Sequence, residues 1–133
     1  MASSSYEGAM IEGFALEGKL KRGQAVDLSA AGTAKKAADS GKAIGVYDIR
    51  DNLDVDASVR SYSVPVVVLG PARVFAQGAL SAGDLLIVHS DGYLKALGSP
   101  TAGQKHWVVG RALGAAAKDE AVDILVQPFE LQG

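Results

Sequence analysis

From Ile11 onward, short apolar stretches alternate with turn residues, and the longest, Val64 to Leu69, is six residues with a proline inside it. They recur about every 8 to 12 residues, the spacing of a barrel or sandwich. The pattern predicts strands over Ile11 to Leu16, Gln24 to Leu28, Ala43 to Ile49, Val55 to Arg60 and Tyr62 to Leu69. It predicts five more over Arg73 to Gln77, Leu85 to His89, Tyr93 to Leu97, Trp107 to Leu113 and Ala121 to Gln127. Partial alternation at Val26 and Leu28, and at Ile44 and Val46, marks half-buried strands. The clearest local signal is Leu85 to His89, then Ser90-Asp91-Gly92, then Tyr93 to Leu97. An Asp-Gly pair between two apolar segments favours a hairpin, because glycine supplies the positive φ of the turn.

Sixteen glycines interrupt almost every segment before an ordinary helix could form, each costing about 1 kcal/mol in a helix interior. Thr33 to Ala38 and Ala112 to Lys118 have helical propensity, yet the first is short and Gly114 punctuates the second. At most one short helix, near residues 115 to 119, is expected. Residues 1 to 10 are small and polar without period and read as an extended arm.

An internal repeat organises the strands. Leu20, Gly23, Gly32 and Lys35 recur sixty positions later as Leu80, Gly83, Gly92 and Lys95, and Ile44-Gly45 recurs as Val109-Gly110. Neither half-unit closes a core alone, but two can pack their apolar faces together. The repeat also favours strand over helix at residues 33 to 38. The expected fold is therefore all-β: a small β-barrel or β-sandwich built from a duplicated β-hairpin unit. A single β domain at residues 11 to 133, with pseudo-repeats at about 14 to 69 and 74 to 127, follows the arm.

Charge and composition narrow the function classes. Thirteen Lys and Arg oppose 15 Asp and Glu, for a net charge of -2. Residues 1 to 66 hold 8 basic and 9 acidic side chains, so no basic excess points to nucleic acid. No apolar run approaches the roughly 20 residues that span a bilayer, and the N-terminal residues lack the basic and apolar regions of a secretory signal. A soluble protein made in a cytoplasm is expected, with no membrane partner. No cysteine is present for a disulfide, a thiolate nucleophile or a zinc site.

Candidate chemistry is sparse. His89-Ser90-Asp91 holds the residue types of a nucleophilic triad, but neighbours at a hairpin tip diverge and read as a turn. Gly13 to Lys19 matches GxxxxGK, yet Leu20 follows where Ser or Thr should hold magnesium. Asp48, Asp51, Asp54 and Asp56 form the densest acidic cluster, and Asp51 to Asp56 resembles the start of a calcium loop, but Asp56 replaces the required glycine and Tyr62 the closing glutamate; a solvated acidic loop is the better reading. The eight aromatic residues are dispersed rather than lining a cleft. No catalytic residue, cofactor site or metal site is assigned, and the chain is not expected to be an enzyme. A lipoyl- or biotin-carrying barrel would need its lysine at a hairpin tip, whereas Lys95 lies in the return strand.

The series Ala79 to Leu86, Ser90 to Lys95, Val108 to Leu113 and Val122 to Val126 resembles tailed-bacteriophage capsid decoration (cement, head-stabilising) proteins. The resemblance spans roughly residues 14 to 127. It implies a virion structural protein that binds the outer surface of the expanded icosahedral capsid and stabilises contacts between major capsid protein subunits. It also implies homotrimers or trimeric clusters on the capsid, and manufacture in the bacterial host cytoplasm. A phage tail or receptor-binding component with a similar β unit is the alternative. With the arm able to add a strand to a neighbour's sheet edge, the expected capsid contacts are Ser3, Ser4, Ser5 and Tyr6, with Phe129 and Leu131 near the C-terminus.

Overall fold

The computed structural model describes residues 8–51, 54–58 and 61–133. Its strands are β1 (Met10–Ala15), β2 (Lys19–Leu20), β3 (Ala25–Leu28), β4 (Ala34–Lys36), β5 (Gly45–Val46) and β6 (Val55–Asp56), followed by β7 (Ser63–Phe75), β8 (Leu85–Val88), β9 (Leu94–Ala96), β10 (Lys105–Ala112) and β11 (Ala121–Gln132). No helix occurs among the described residues. The expected all-β fold is the one observed: a curled antiparallel sheet in a half-barrel, ordered β4-β3-β5-β7-β11-β10-β8-β9, with β1 also on β7. Strands β2 and β6 form a separate two-stranded ribbon.

Several boundaries differ from the sequence pattern, each for a tertiary reason. The arm was expected to run through residue 10, but Met10 already pairs with Leu69. Near 115 to 119 the chain forms a bridge and a turn rather than a helix: Ala116 bridges Leu80 and exchanges both backbone hydrogen bonds with it, at 2.8 and 3.1 Å, and Glu120 N closes a turn on Ala117 O at 3.1 Å. Of the strand expected over 55 to 60, the described part is the two residues of β6 and a turn.

The two strands expected on either side of Gly70-Pro71 are one strand, β7. Its first half pairs with β1 and, at Val67, with Val46 of β5; its second half pairs with β11. Gly70 sits at the junction with φ +101°, and a Cβ there would lie 2.5 Å from the Gly8 carbonyl oxygen. Only glycine supplies both that backbone and that space.

The registers repeat along the chain. Val26, Asp27 and Leu28 face Lys36, Lys35 and Ala34; sixty positions later Leu86, Ile87 and Val88 face Ala96, Lys95 and Leu94. Gly23 donates to Tyr47 O at 2.6 Å and Gly83 to Ala112 O at 2.7 Å. Leu16 donates to Tyr62 O at 2.9 Å, and Ala76 to Glu120 O at 2.8 Å. We refer to residues 10 to 69 as unit 1 and residues 70 to 127 as unit 2.

The units stack rather than sit side by side. In unit 1, Leu16, Leu20, Val26, Val64 and Val66 form one buried cluster with Tyr47 and Val55. Ala25, Val46 and Val67, on the other face of the same strands, belong to a second cluster with Val74, Leu86, Val109, Ile124 and Val126 of unit 2. The centre of β7 is thus buried on both faces, which explains the unbroken Val66-Val67-Val68 run where a half-buried strand would alternate. Val66 and Val67, both fully buried, each contribute on the order of 1.5 to 3 kcal/mol.

Candidate partner-binding surface

The chemistry-bearing residues singled out in the sequence do not converge. At the β8–β9 turn, His89 Nδ1 lies 3.2 Å from Asp91 Oδ1 and 3.4 Å from Ser90 Oγ. Both neighbours address the same ring nitrogen, whereas a relay needs the acid and the nucleophile on opposite nitrogens. Asp91 Oδ1 also accepts from Tyr93 N at 3.0 Å, tying the turn. Next to it, Phe75, Gln77, Tyr93, Lys118 and Asp119 line a shallow depression. Burial, and then the charges of Asp54 and Asp91, push the Tyr93 phenol up, so it stays a neutral hydrogen-bonding group there.

The acidic cluster is dispersed, and one member departs from the solvated-loop reading. Asp48 is fully buried. Its carboxylate accepts from Arg50 Nε at 2.9 Å, Arg50 NH2 at 2.6 Å and the Arg73 backbone N at 2.9 Å. It fastens unit 1 to the outer edge of β7, where among the described residues no strand other than β11 pairs with the second half. Asp54 accepts from Arg22 N at 3.0 Å. Asp56 is held low by hydrogen bonds from the Ser58 hydroxyl and backbone. Among the described residues no group of three or more His, Cys, Asp or Glu is arranged to hold a metal ion. Gly13 and Gly18 of the GxxxxGK match lie in β1 and in the turn before β2, without a following helix.

Among the residues expected at a partner interface, Ser3, Ser4, Ser5 and Tyr6 lie outside the described residues. Phe129 and Leu131 are half-buried on the last part of β11, opposite Val108 and His106 of β10. Directly opposed residues share a face of the sheet, so Phe129, Leu131, Val108 and His106 line one side of a ribbon that runs past the rest of the sheet. The opposite side is anchored: Trp107 Nε1 donates to Ala43 O at 2.8 Å, and Lys42 Nζ stands 6.0 Å from the Trp107 ring centre. The ribbon tip is closed by Gly133 N donating to Gln104 O at 2.7 Å and by Thr101 N donating to His106 Nε2 at 3.2 Å.

Gly8, the first described residue, and Val126, at the base of the β10–β11 ribbon, both adjoin Gly70. Gly8 also packs on Pro71, and Val126 lies three residues before Phe129. Next to Gly70, Met10 (54%) and its cross-strand partner Leu69 (46%) are exposed. Sequence reasoning missed this pair by assigning Met10 to the arm and Leu69 to a core strand. Four consecutive aliphatics at Val66 to Leu69 were the available signal, since alternation sends them to opposite faces.

A second half-open apolar face lies on unit 2. Leu85, Arg111 and Leu125 form one cross-strand row. Leu85 and Leu125 are half-buried, and Leu113 nearby in sequence is 52% exposed. Arg73 Nε and Asp123 Oδ1, 2.8 Å apart on adjacent strands, border it. The hydrogen bond from Arg73 holds the Asp123 carboxyl below the usual carboxylate range.

No family model matches this chain, and no curated protein matches it. Among solved structures, the chain is similar to the N-terminal base of the head fiber protein gp8.5 of bacteriophage phi29. The likeness has 18% identity and a TM-score of 0.65, and covers 93% of this chain and 100% of that one. At that identity, the two share a fold.

Proposed function

We propose that this chain is a structural protein of a tailed-phage head. In this reading it is a decoration protein that binds the outer surface of the expanded capsid and stabilises contacts between major capsid protein subunits. The observation that carries the reading is the fold shared with the phi29 head fiber base over the whole of that chain. The motif resemblance described above points the same way independently. Gly8 and Val126, three residues before Phe129, both adjoin Gly70, which supports reading the arm and the Phe129–Leu131 ribbon as parts of one contact region. Pairing of the arm with a sheet edge of the capsid would supply main-chain hydrogen bonds to that contact.

The mechanism is linkage. A protein that binds the mature lattice, but not its precursor or free subunits, stabilises that lattice by mass action. Repetition over the shell then turns modest affinity per site into large total stability, without any bond made or broken. We read the chain as non-catalytic, with the His89 tip as a turn and Asp48, Asp54 and Asp56 each holding a different partner.

Quantitative mass spectrometry of purified particles of the source phage tests this. A fixed ratio of order unity to the major capsid protein is the expected result. A handful of copies per particle would move the chain to the tail or a receptor-binding apparatus, and absence from the particle would overturn the reading.

A further inference from the structure

The contact between the two units is one-sided. Beside the hydrogen bonds from Ser40 N to Val88 O and from Trp107 Nε1 to Ala43 O, unit 1 contributes Gly23, Gln24, Ala25, Asp48 and Ile49, and unit 2 contributes β7 from Arg73 to Phe75 and the Asp91–Gly92 turn. Ala25 N donates to Gly92 O at 2.8 Å, Gln24 Nε2 to Asp91 O at 2.8 Å, and Ile49 N to Arg73 O at 3.0 Å. A Cβ on Gly23 would stand 3.2 Å from the Phe75 backbone nitrogen. A two-fold relation would require the reciprocal set, with Gly83, Asp84 and Leu85 against Ala31 and Gly32. That set is absent: Gly32 and Gly83 are exposed, and a Cβ at either meets nothing within 4 Å.

Burial follows the same asymmetry. Ala25, Val46 and Val67 are sealed against unit 2, while their counterparts Leu85 and Leu125 are half-open and Arg111 is exposed. Asp48 is buried, while its counterpart Leu113 is 52% exposed. On the receiving side, Val74, Val109 and Val126 are sealed, but their counterparts Phe14, Ile44 and Val68 are only partly buried. Gly13, the counterpart of Arg73, lies on β1, which pairs with β7 alone. The chain thus ends in two half-open apolar faces that correspond, position for position, to the two faces it buries internally.

We propose that a second copy of this chain closes these faces head to tail. The Gly83–Leu85, Leu113 and Leu125 surface of one copy docks on Phe14, Ile44, Val68 and the outer edge of β1 of the next. The contact repeats the one between unit 1 and unit 2. Because it is heterologous, it generates a closed ring or a filament rather than an isologous dimer. Leu113, at the place of Asp48, then lies beside Gly13, and Gly114 N addresses Gly13 O as Ile49 N addresses Arg73 O.

The absence of cysteine allows a clean test. Leu113→Cys and Gly13→Cys are made separately, checked for wild-type melting when reduced, and oxidised alone and as a mixture. The internal counterparts of these positions, Asp48 and Arg73, are hydrogen-bonded neighbours, and a disulfide needs Cα atoms about 4 to 7 Å apart. The expected result is a mixed disulfide at least several-fold over either homodimer, and a covalent ladder from the double variant. Leu113→Asp, on an exposed side chain that leaves the fold intact, shifts the sedimenting species to monomer. A wild-type chain that is monomeric at high concentration, or homodimers in statistical proportion, overturns the proposal. A monomeric chain still present on particles at lattice ratio would overturn this inference and leave the head-protein reading standing.

Discussion

Gly45 and Gly110 occupy one place in two copies of the same register. A Cβ on Gly45 would collide with the Val67 carbonyl oxygen, and a Cβ on Gly110 with the Leu125 carbonyl oxygen. Neither glycine has a positive φ, so the requirement is close approach of neighbouring backbones rather than turn geometry. Gly45→Ala and Gly110→Ala should each destabilise by at least about 3 kcal/mol, because sheet backbone cannot yield as a side chain can. Urea melts of the two variants measure this; a loss under about 1 kcal/mol in either would contradict the shared role.

Asp48 offers a contrast within the acidic group. Asp48→Ala removes a fully buried carboxylate that serves Arg50 and the Arg73 amide, and should cost about 3 kcal/mol. Asp56→Ala, at an exposed partner of Ser58 and Lys19, should leave the melt essentially unchanged. Equal effects at the two positions would mean that Asp48 does not fasten the units.

Tyr47 carries a pH dependence of defined sign. Burial, reinforced by Asp51 and Asp54, pushes its phenol up to about 12, above the ordinary value near 10. Between these values the unfolded chain releases a proton that the folded chain retains, so stability falls as pH rises through that window, by up to about 3 kcal/mol. Below it the contribution is fully present. Tyr47→Phe should flatten this part of a stability-against-pH curve, and an unchanged slope would show the phenol to be ordinary.

Trp107 is the single tryptophan and ties the β10–β11 ribbon to unit 1 through Ala43 O. Trp107→Phe should cost on the order of 1 to 2 kcal/mol, from the lost hydrogen bond and an acceptor left in a part-buried site. Lys42→Ala should change little, since its ammonium stands 6.0 Å from the ring centre. Hydrogen exchange on residues 105 to 108 reports whether the ribbon loosens.

Local signals in the sequence determined much of this protein. The Asp91-Gly92 hairpin, the strand spacing and the sixty-residue recurrence of Leu20, Gly23, Gly32 and Lys35 were legible because turn φ angles and side-chain alternation act over a few residues. Tertiary structure decided the rest. Gly70-Pro71 separates two expected strands, yet β7 runs through it because β1 and β11 pair with its two halves. Asp48 reads as one of four surface carboxylates, yet its partner Arg73 is 25 positions away and buries it. Short apolar runs between turn residues announced that Val67 and Leu125 stand on strands. Only the stacking of unit 1 on unit 2 decided that the first is sealed and the second half-open, because burial depends on what lies across the sheet and not on the strand's own residues.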